Sequence, residues 1–112
     1  MRVLVNEEPI ARQVEVADTT LTQAKGLMFR RSIPDDFALV FPFDGVDQRS
    51  VHMLFVPFPI TVVWLVNGQA EQVTQLAPWV GLARARADTL IELPAAAVDD
   101  IAVGDAVRIE EN

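Results

Sequence analysis

SVHMLFVPFPITVVWLV, residues Ser50–Val66, is the most apolar part of this chain. Two β-rich runs, Ser50–Val56 and Ile60–Val66, flank a Pro57-Phe58-Pro59 corner. Strand side chains alternate between faces with a period of two. In the first run Val51, Met53 and Phe55 form an apolar face, and Ser50, His52, Leu54 and Val56 a mixed one. In the second run Ile60, Val62, Trp64 and Val66 alternate with Thr61, Val63 and Leu65. A strand that is apolar on both faces is covered on both faces. Neither proline can donate to a ladder, so the pair marks a corner and not a strand interior. Folding the runs back antiparallel around Phe58 sets His52 opposite Trp64 and Phe55 opposite Thr61. Leu39, Phe41, Met53, Phe55, Val63 and Leu65 are then expected to share one core, with Thr61 buried or half-buried and its hydroxyl bonded to backbone or to a polar neighbour.

Outward from this stretch, turn chemistry divides the chain. Asn67-Gly68 is a hairpin signal, because both residues tolerate positive φ, and it pairs Ala70–Ala77 with Ile60–Val66. Towards the N-terminus, Phe37–Phe43 reads as an apolar strand, and Asp44–Gln48 as a turn returning it to Ser50–Val56. Arg2–Val5 and Arg12–Ala17 are short strands. Thr20 with Gln23 fits a capping box for a short helix, with Ala17, Leu21, Ala24 and Met28 on one apolar face and Gly26 at its end. Towards the C-terminus, Pro78–Gly81 breaks the pattern, Thr89–Leu93 is a strand, Pro94–Asp100 suits a helical turn, and Ala106–Ile109 closes the chain. The expectation is one domain over residues 1–112. It is a β-dominated α+β fold, a small barrel-like or strongly curved, mostly antiparallel sheet with one short helix and a second helical turn.

Composition narrows function. The chain has 112 residues, 51% of them hydrophobic, enough for one core and too apolar for disorder. The absence of cysteine excludes disulfides, thiolate metal sites and a cysteine nucleophile, and a single histidine excludes a His-rich zinc site within one chain. A net charge of −7 opposes nucleic-acid binding. There is neither an apolar run long enough for a membrane helix nor a signal-peptide core, so the expectation is a cytoplasmic protein with no membrane partner, monomeric or weakly dimeric. Lys25 is the only lysine, against eight arginines and sixteen acids, a balance that suits a halophilic source or, alternatively, an acidic mesophile with a high-GC genome.

Several segments together carry a family resemblance: Lys25–Pro34 (KGLMFRRSIP), Leu39-Val40-Phe41, His52–Ile60 (HMLFVPFPI), Glu92-Leu93-Pro94-Ala95 and Val103-Gly104-Asp105. In this order they resemble DUF192, also called UPF0127, in its archaeal form, over roughly Val14 to Val107. The resemblance implies a mostly β fold and no particular activity. Similar sequences usually carry an aspartate after the Pro-Ile pair, where this chain has Thr61. A family chemistry built on that acid would be missing here.

The chain holds no Gly-rich phosphate loop, no G-x-S-x-G elbow and no His-Glu-x-x-His. His52 could act as a general base or a lone metal ligand, but a half-buried His packed on Trp64 or bonded to backbone is the simpler reading. Arg30-Arg31 and Arg49 could bind a carboxylate or phosphate, or could pair with Asp35, Asp36, Asp44 or Asp47 on the surface. The expected register separates Arg49 from the double arginine, which leaves an anion site led by Arg30 and Arg31 near the proline corner. Trp79 is the better candidate for an exposed aromatic, able to stack on a ligand or partner, while Trp64 reads as core. The favoured function is therefore a non-catalytic domain that binds a small anionic ligand or a protein partner through Arg30, Arg31 and Trp79, with no cofactor. The alternative is a small hydrolase using His52 with Asp44 or Asp47 as acid and base.

Overall fold

Ile60–Leu65 is buried along its whole length, because this strand has neighbours on both edges and apolar cover on both faces. In the computed structural model, which describes residues 1–111, the strands are β1 (Arg2–Val5), β2 (Glu8–Ala11), β3 (Gln13–Val16), β4 (Phe37–His52), β5 (Ile60–Val66), β6 (Gln69–Leu76), β7 (Leu82–Pro94) and β8 (Val107–Glu110). Helix α1 (Thr20–Lys25) and a 3₁₀ turn (Ala95–Asp100) complete the set. The strands form a three-stranded sheet, β2-β1-β8, and a five-stranded sheet, β3-β4-β7-β5-β6. All pairings are antiparallel except β3 with β4.

The five-stranded sheet separates two cores. On one face Leu39, Phe41, Val62, Trp64 and Leu90 pack with Leu27, Met53 and Val56 from the loops. On the other, Val40, Val63, Leu65, Ile91 and Leu93 pack against Val3, Val5 and Val107 of the smaller sheet. The expected single core is therefore two, because the alternation of β5 sends Val63 and Leu65 to the face opposite Phe41 and Met53. Thr61 lies with the second core. It is fully buried, and its hydroxyl donates to Ala95 O at 2.9 Å, as expected. The β-dominated class holds, but the two sheets keep open edges and do not close into a barrel.

The Asn67-Gly68 hairpin, the helix end at Gly26 and the turn after Pro94 stand where the sequence puts them. The pairing of the first apolar runs does not. Phe37–Phe43 and Ser50–His52 belong to one strand, with a register shift between Pro42 and Asp47 in place of a hairpin turn. Its partner is β7, so His52 lies opposite Leu82 and not Trp64, and Thr61 pairs with Leu93 and Gln75 and not Phe55. A strand of 13 residues, β7, supplies a ladder long enough to carry both halves of β4 through the irregularity. After His52 the chain leaves the sheet, and Phe55 takes φ +60 and is 48% exposed, which corrects its placement in the core.

Helix α1 also differs. Thr19 is the N-cap and forms the capping box with Thr22, one residue before the expected Thr20–Gln23 pair. No residue of α1 is buried, and Leu21 is exposed. At six residues the helix is too short to present a stripe. Ala17 and Leu27, just outside it, reach the core instead.

Candidate functional site

Within β7 the run Thr89-Leu90-Ile91-Glu92-Leu93 alternates across the sheet. Ile91 and Leu93 face the smaller sheet, and Leu90 and Glu92 face the loops around α1. The central position of β7, with Leu39 on one side of Glu92 and Val62 on the other, buries this acid to 5% exposure. Its carboxylate lies at a cavity of about 340 Å³. Leu27, Met28, Phe41, Met53, Ile60 and Leu90 supply apolar lining, while the more exposed Gln23, Lys25, Arg49, Ser50 and His52 stand at the mouth.

Gly26 sits over the acid. Its φ of +50 follows from its place at the helix end, and a β-carbon there would lie 3.6 Å from the Phe41 ring and 3.7 Å from Glu92 Oε1. Burial pushes the Glu92 carboxyl up to about 7, and the charge of Arg30 partly opposes this. No hydrogen bond from the described residues offsets the burial. Arg30 is itself committed: its guanidinium grips both Glu15 oxygens at 2.9 and 3.0 Å and lies 5.2 Å from the centre of the Phe37 ring. That grip holds the Glu15 carboxyl below its ordinary range.

The residues singled out from sequence fall in separate places. Arg30 has its fork filled by Glu15, and Arg31 beside it is exposed. The partner of Arg30 is none of the four aspartates considered for it. Arg49 donates to the carbonyls of Ala87 at 3.2 Å and Gly45 at 2.7 Å and lies 4.0 Å from the centre of the Phe43 ring, at the cavity mouth. His52 is exposed, and its Nδ1 accepts from Leu54 N at 3.2 Å. Asp44 and Asp47 are exposed on the irregular part of β4, where Asp47 accepts from Gln48 N. Among the described residues, no three His, Cys, Asp or Glu side chains gather as a metal site.

Trp79 is exposed and belongs to an aromatic cluster. Phe29 stacks on Phe55 at 5.0 Å, and Trp79 meets Phe55 edge-on at 6.4 Å. All three have φ near +60 to +70, a conformation that bulky residues avoid. Backbone bonds hold it: Phe29 N to Phe55 O at 2.9 Å and Trp79 N to Val56 O at 3.1 Å.

Sequence reasoning missed Glu92 as a site residue. The available signal was a lone acid inside an otherwise apolar strand, a position where a charge costs stability unless it is partnered. Thr61, where the resemblance leads one to expect an aspartate, does not line the cavity. It faces the start of the 3₁₀ turn, where its hydroxyl donates to Ala95 O.

Comparison places this architecture among solved folds. A candidate transcription regulator from Sinorhizobium meliloti 1021 aligns with a TM-score of 0.83 at 21% identity, covering 96% of this chain and 91% of its own. A protein of unknown function from Novosphingobium aromaticivorans DSM 12444 aligns with a TM-score of 0.85 at 22% identity, covering 97% and 84%. At these identities the likeness is one of fold. No curated protein matches the chain. The model of DUF192, described as uncharacterized ACR, matches residues 2–109, nearly the full length, and the chain belongs to that family.

Proposed function

We propose that this domain binds a small molecule in the Glu92 cavity and does no chemistry on it. The observation that carries the reading is Glu92 itself: a carboxyl nine-tenths buried, facing an apolar cavity, with no donor among the described residues. Cavities of this size, apolar with a few convergent polar groups, are the usual form of ligand sites. The ligand has an apolar body, and its inner end donates to Glu92. An anionic group at its outer end meets Lys25 and Arg49, which moves the anion-binding role from Arg30 and Arg31 to the cavity mouth. Titrating short-chain amines, alcohols and carboxylates while following backbone amide shifts tests this. The expected shifts centre on Gly26, Leu27, Leu90 and Glu92, and a set confined to Arg30, Arg31 and their neighbours overturns the reading.

A second reading, docking of a protein partner, is favoured by the exposed Phe29–Phe55–Trp79 cluster. Aromatic side chains are enriched where proteins meet. Sedimentation over a wide concentration range, for wild type and Trp79→Ser, tests whether that partner is a second copy of the chain. A hydrolase built on His52 with Asp44 or Asp47 gains no support, since all three side chains are exposed and neither aspartate lines the cavity that His52 borders. DNA binding is disfavoured by the net charge of −7.

A further inference from the structure

Resting on the reading of the cavity as a ligand site, we infer that the inner end of the ligand is an alkylammonium group, with Glu92 as its counter-ion. Three observations separate an ammonium from other donors. Among the described residues, the one charge that acts noticeably on Glu92 is that of Arg30, and Arg30 is held in a two-pronged ion pair by Glu15. The ionised form of Glu92 is thus left without a cation of its own. A neutral hydroxyl donates a hydrogen bond but supplies no charge, whereas an ammonium supplies both and bonds to a carboxylate more strongly. A metal ion is the other way to balance a buried acid, but it needs several oxygen or nitrogen ligands. Of the His, Cys, Asp and Glu side chains that usually anchor a metal, the cavity lining offers two, Glu92 and the exposed His52, and no group of three gathers among the described residues.

The walls specify the rest of the ligand. Phe41, Met53, Ile60 and Leu90 present carbon and sulfur to the space between Glu92 and the mouth. A short alkyl or aralkyl body fits there. Lys25 and Arg49 at the mouth carry no carboxylate partner among the described residues. The site is therefore negative at its floor and positive at its rim. An amino carboxylate whose charges are separated by an apolar chain matches that polarity better than a simple amine.

Four probes of equal length test this on the full chain at pH 7.5: hexylamine, 6-aminohexanoate, hexan-1-ol and hexanoate. Amide shifts and calorimetry are expected to show the two amines binding at least about ten-fold more tightly than the alcohol. Glu92→Gln brings hexylamine down to the level of hexan-1-ol, while Glu92→Asp, which keeps the charge, retains part of the preference. Equal affinity for hexylamine and hexan-1-ol, or an unchanged hexylamine affinity in Glu92→Gln, overturns the ammonium assignment and leaves the ligand cavity standing. If none of the four shifts the cavity amides, both the cavity reading and the assignment fall.

Discussion

Gly26 covers Glu92 so closely that a β-carbon added to the glycine would lie 3.7 Å from the carboxylate Oε1. That is ordinary contact, so steric overlap is not what demands glycine here. The backbone is: φ +50 with ψ −126 is a region that side-chain-bearing residues rarely enter. Gly26→Ala is therefore expected to lose about 1–3 kcal/mol in urea unfolding. A loss below about 0.5 kcal/mol would show that the loop over the cavity relaxes freely.

Glu92 makes stability depend on pH in the direction opposite to most carboxylates. Its folded value, about 7, lies above the ordinary 4.5, so the folded state holds the proton more tightly. The stabilisation is fully present below pH 4.5 and is lost as pH rises through 7, about 3 kcal/mol in all. Glu7, Glu15, Asp105 and Glu110, whose values are lowered, lose their contributions as pH falls. The difference between Glu92→Gln and wild type isolates the acid. Unfolding at pH 4.5 and pH 8 is expected to show the variant gaining on wild type by about 3 kcal/mol between the two. A difference that stays constant with pH would mean that Glu92 is solvated in the folded state.

Sequence exposed the elements better than their pairing. Asn67-Gly68 fixed a hairpin through local conformational preference, and Gly26 a helix end for the same reason. The route of β4 depends on β7, thirty or more residues away along the chain, and no local signal encodes that partner. Glu92 does not stand out in the sequence because strand periodicity sorts residues by apolarity. A single acid in Leu90–Leu93 looks like noise in the pattern, although it is where the fold leaves a charge unpaired. The arginines looked like a site for the converse reason. Their charge was visible, but the partner of Arg30, Glu15, lies on a different strand.

Phe55 illustrates how far a face assignment can mislead. Alternation with Val51 and Met53 argues for burial, and burial would make Phe55→Ala cost about 3–5 kcal/mol. With the ring half exposed on Phe29 and Trp79, the expected loss is about 1 kcal/mol or less. Phe55→Gly, which suits φ +60, is expected to cost no more than Phe55→Ala. Urea midpoints of the two variants check both values, and a loss above about 3 kcal/mol for Phe55→Ala would restore the ring to the core.

Gly81 should be among the least tolerant positions. A β-carbon there would come within 2.7 Å of both Ala77 O and Met53 Cγ, and 3.0 Å of Leu76 Cβ. Met53 could swing away, but the carbonyl of Ala77 accepts from Gly81 N at 3.1 Å, and Gly81 O accepts from Met53 N at 3.0 Å. Moving either strains the link between the loop after β6 and the segment leaving β4. Gly81→Ala is expected to cost about 1–3 kcal/mol by overpacking and to disturb Trp79 fluorescence. Native stability with an unshifted Trp79 spectrum would show that the loop has slack.

Salt should stabilise the protein. Glu8, Asp18, Asp35, Asp44, Asp47, Asp99, Asp100 and Glu111 are exposed, and none pairs with a cation among the described residues. With a net charge of −7, their mutual repulsion favours the expanded chain. Screening shortens to about 3 Å at 1 M salt, which removes most of that repulsion. It also weakens the surface pairs Arg30–Glu15, Arg108–Glu7 and Arg86–Glu71, but solvent-exposed pairs contribute little to stability. The unpaired acids outnumber these pairs, so the balance favours salt. Thermal melts from low to molar KCl are expected to rise by on the order of 5 °C. Asp99→Asn with Asp100→Asn should raise the low-salt melting point and shrink the gain from KCl. A melting point that is unchanged or lower in molar KCl would mean that the ion pairs outweigh the repulsion, and the acidic surface would then be no adaptation to salt.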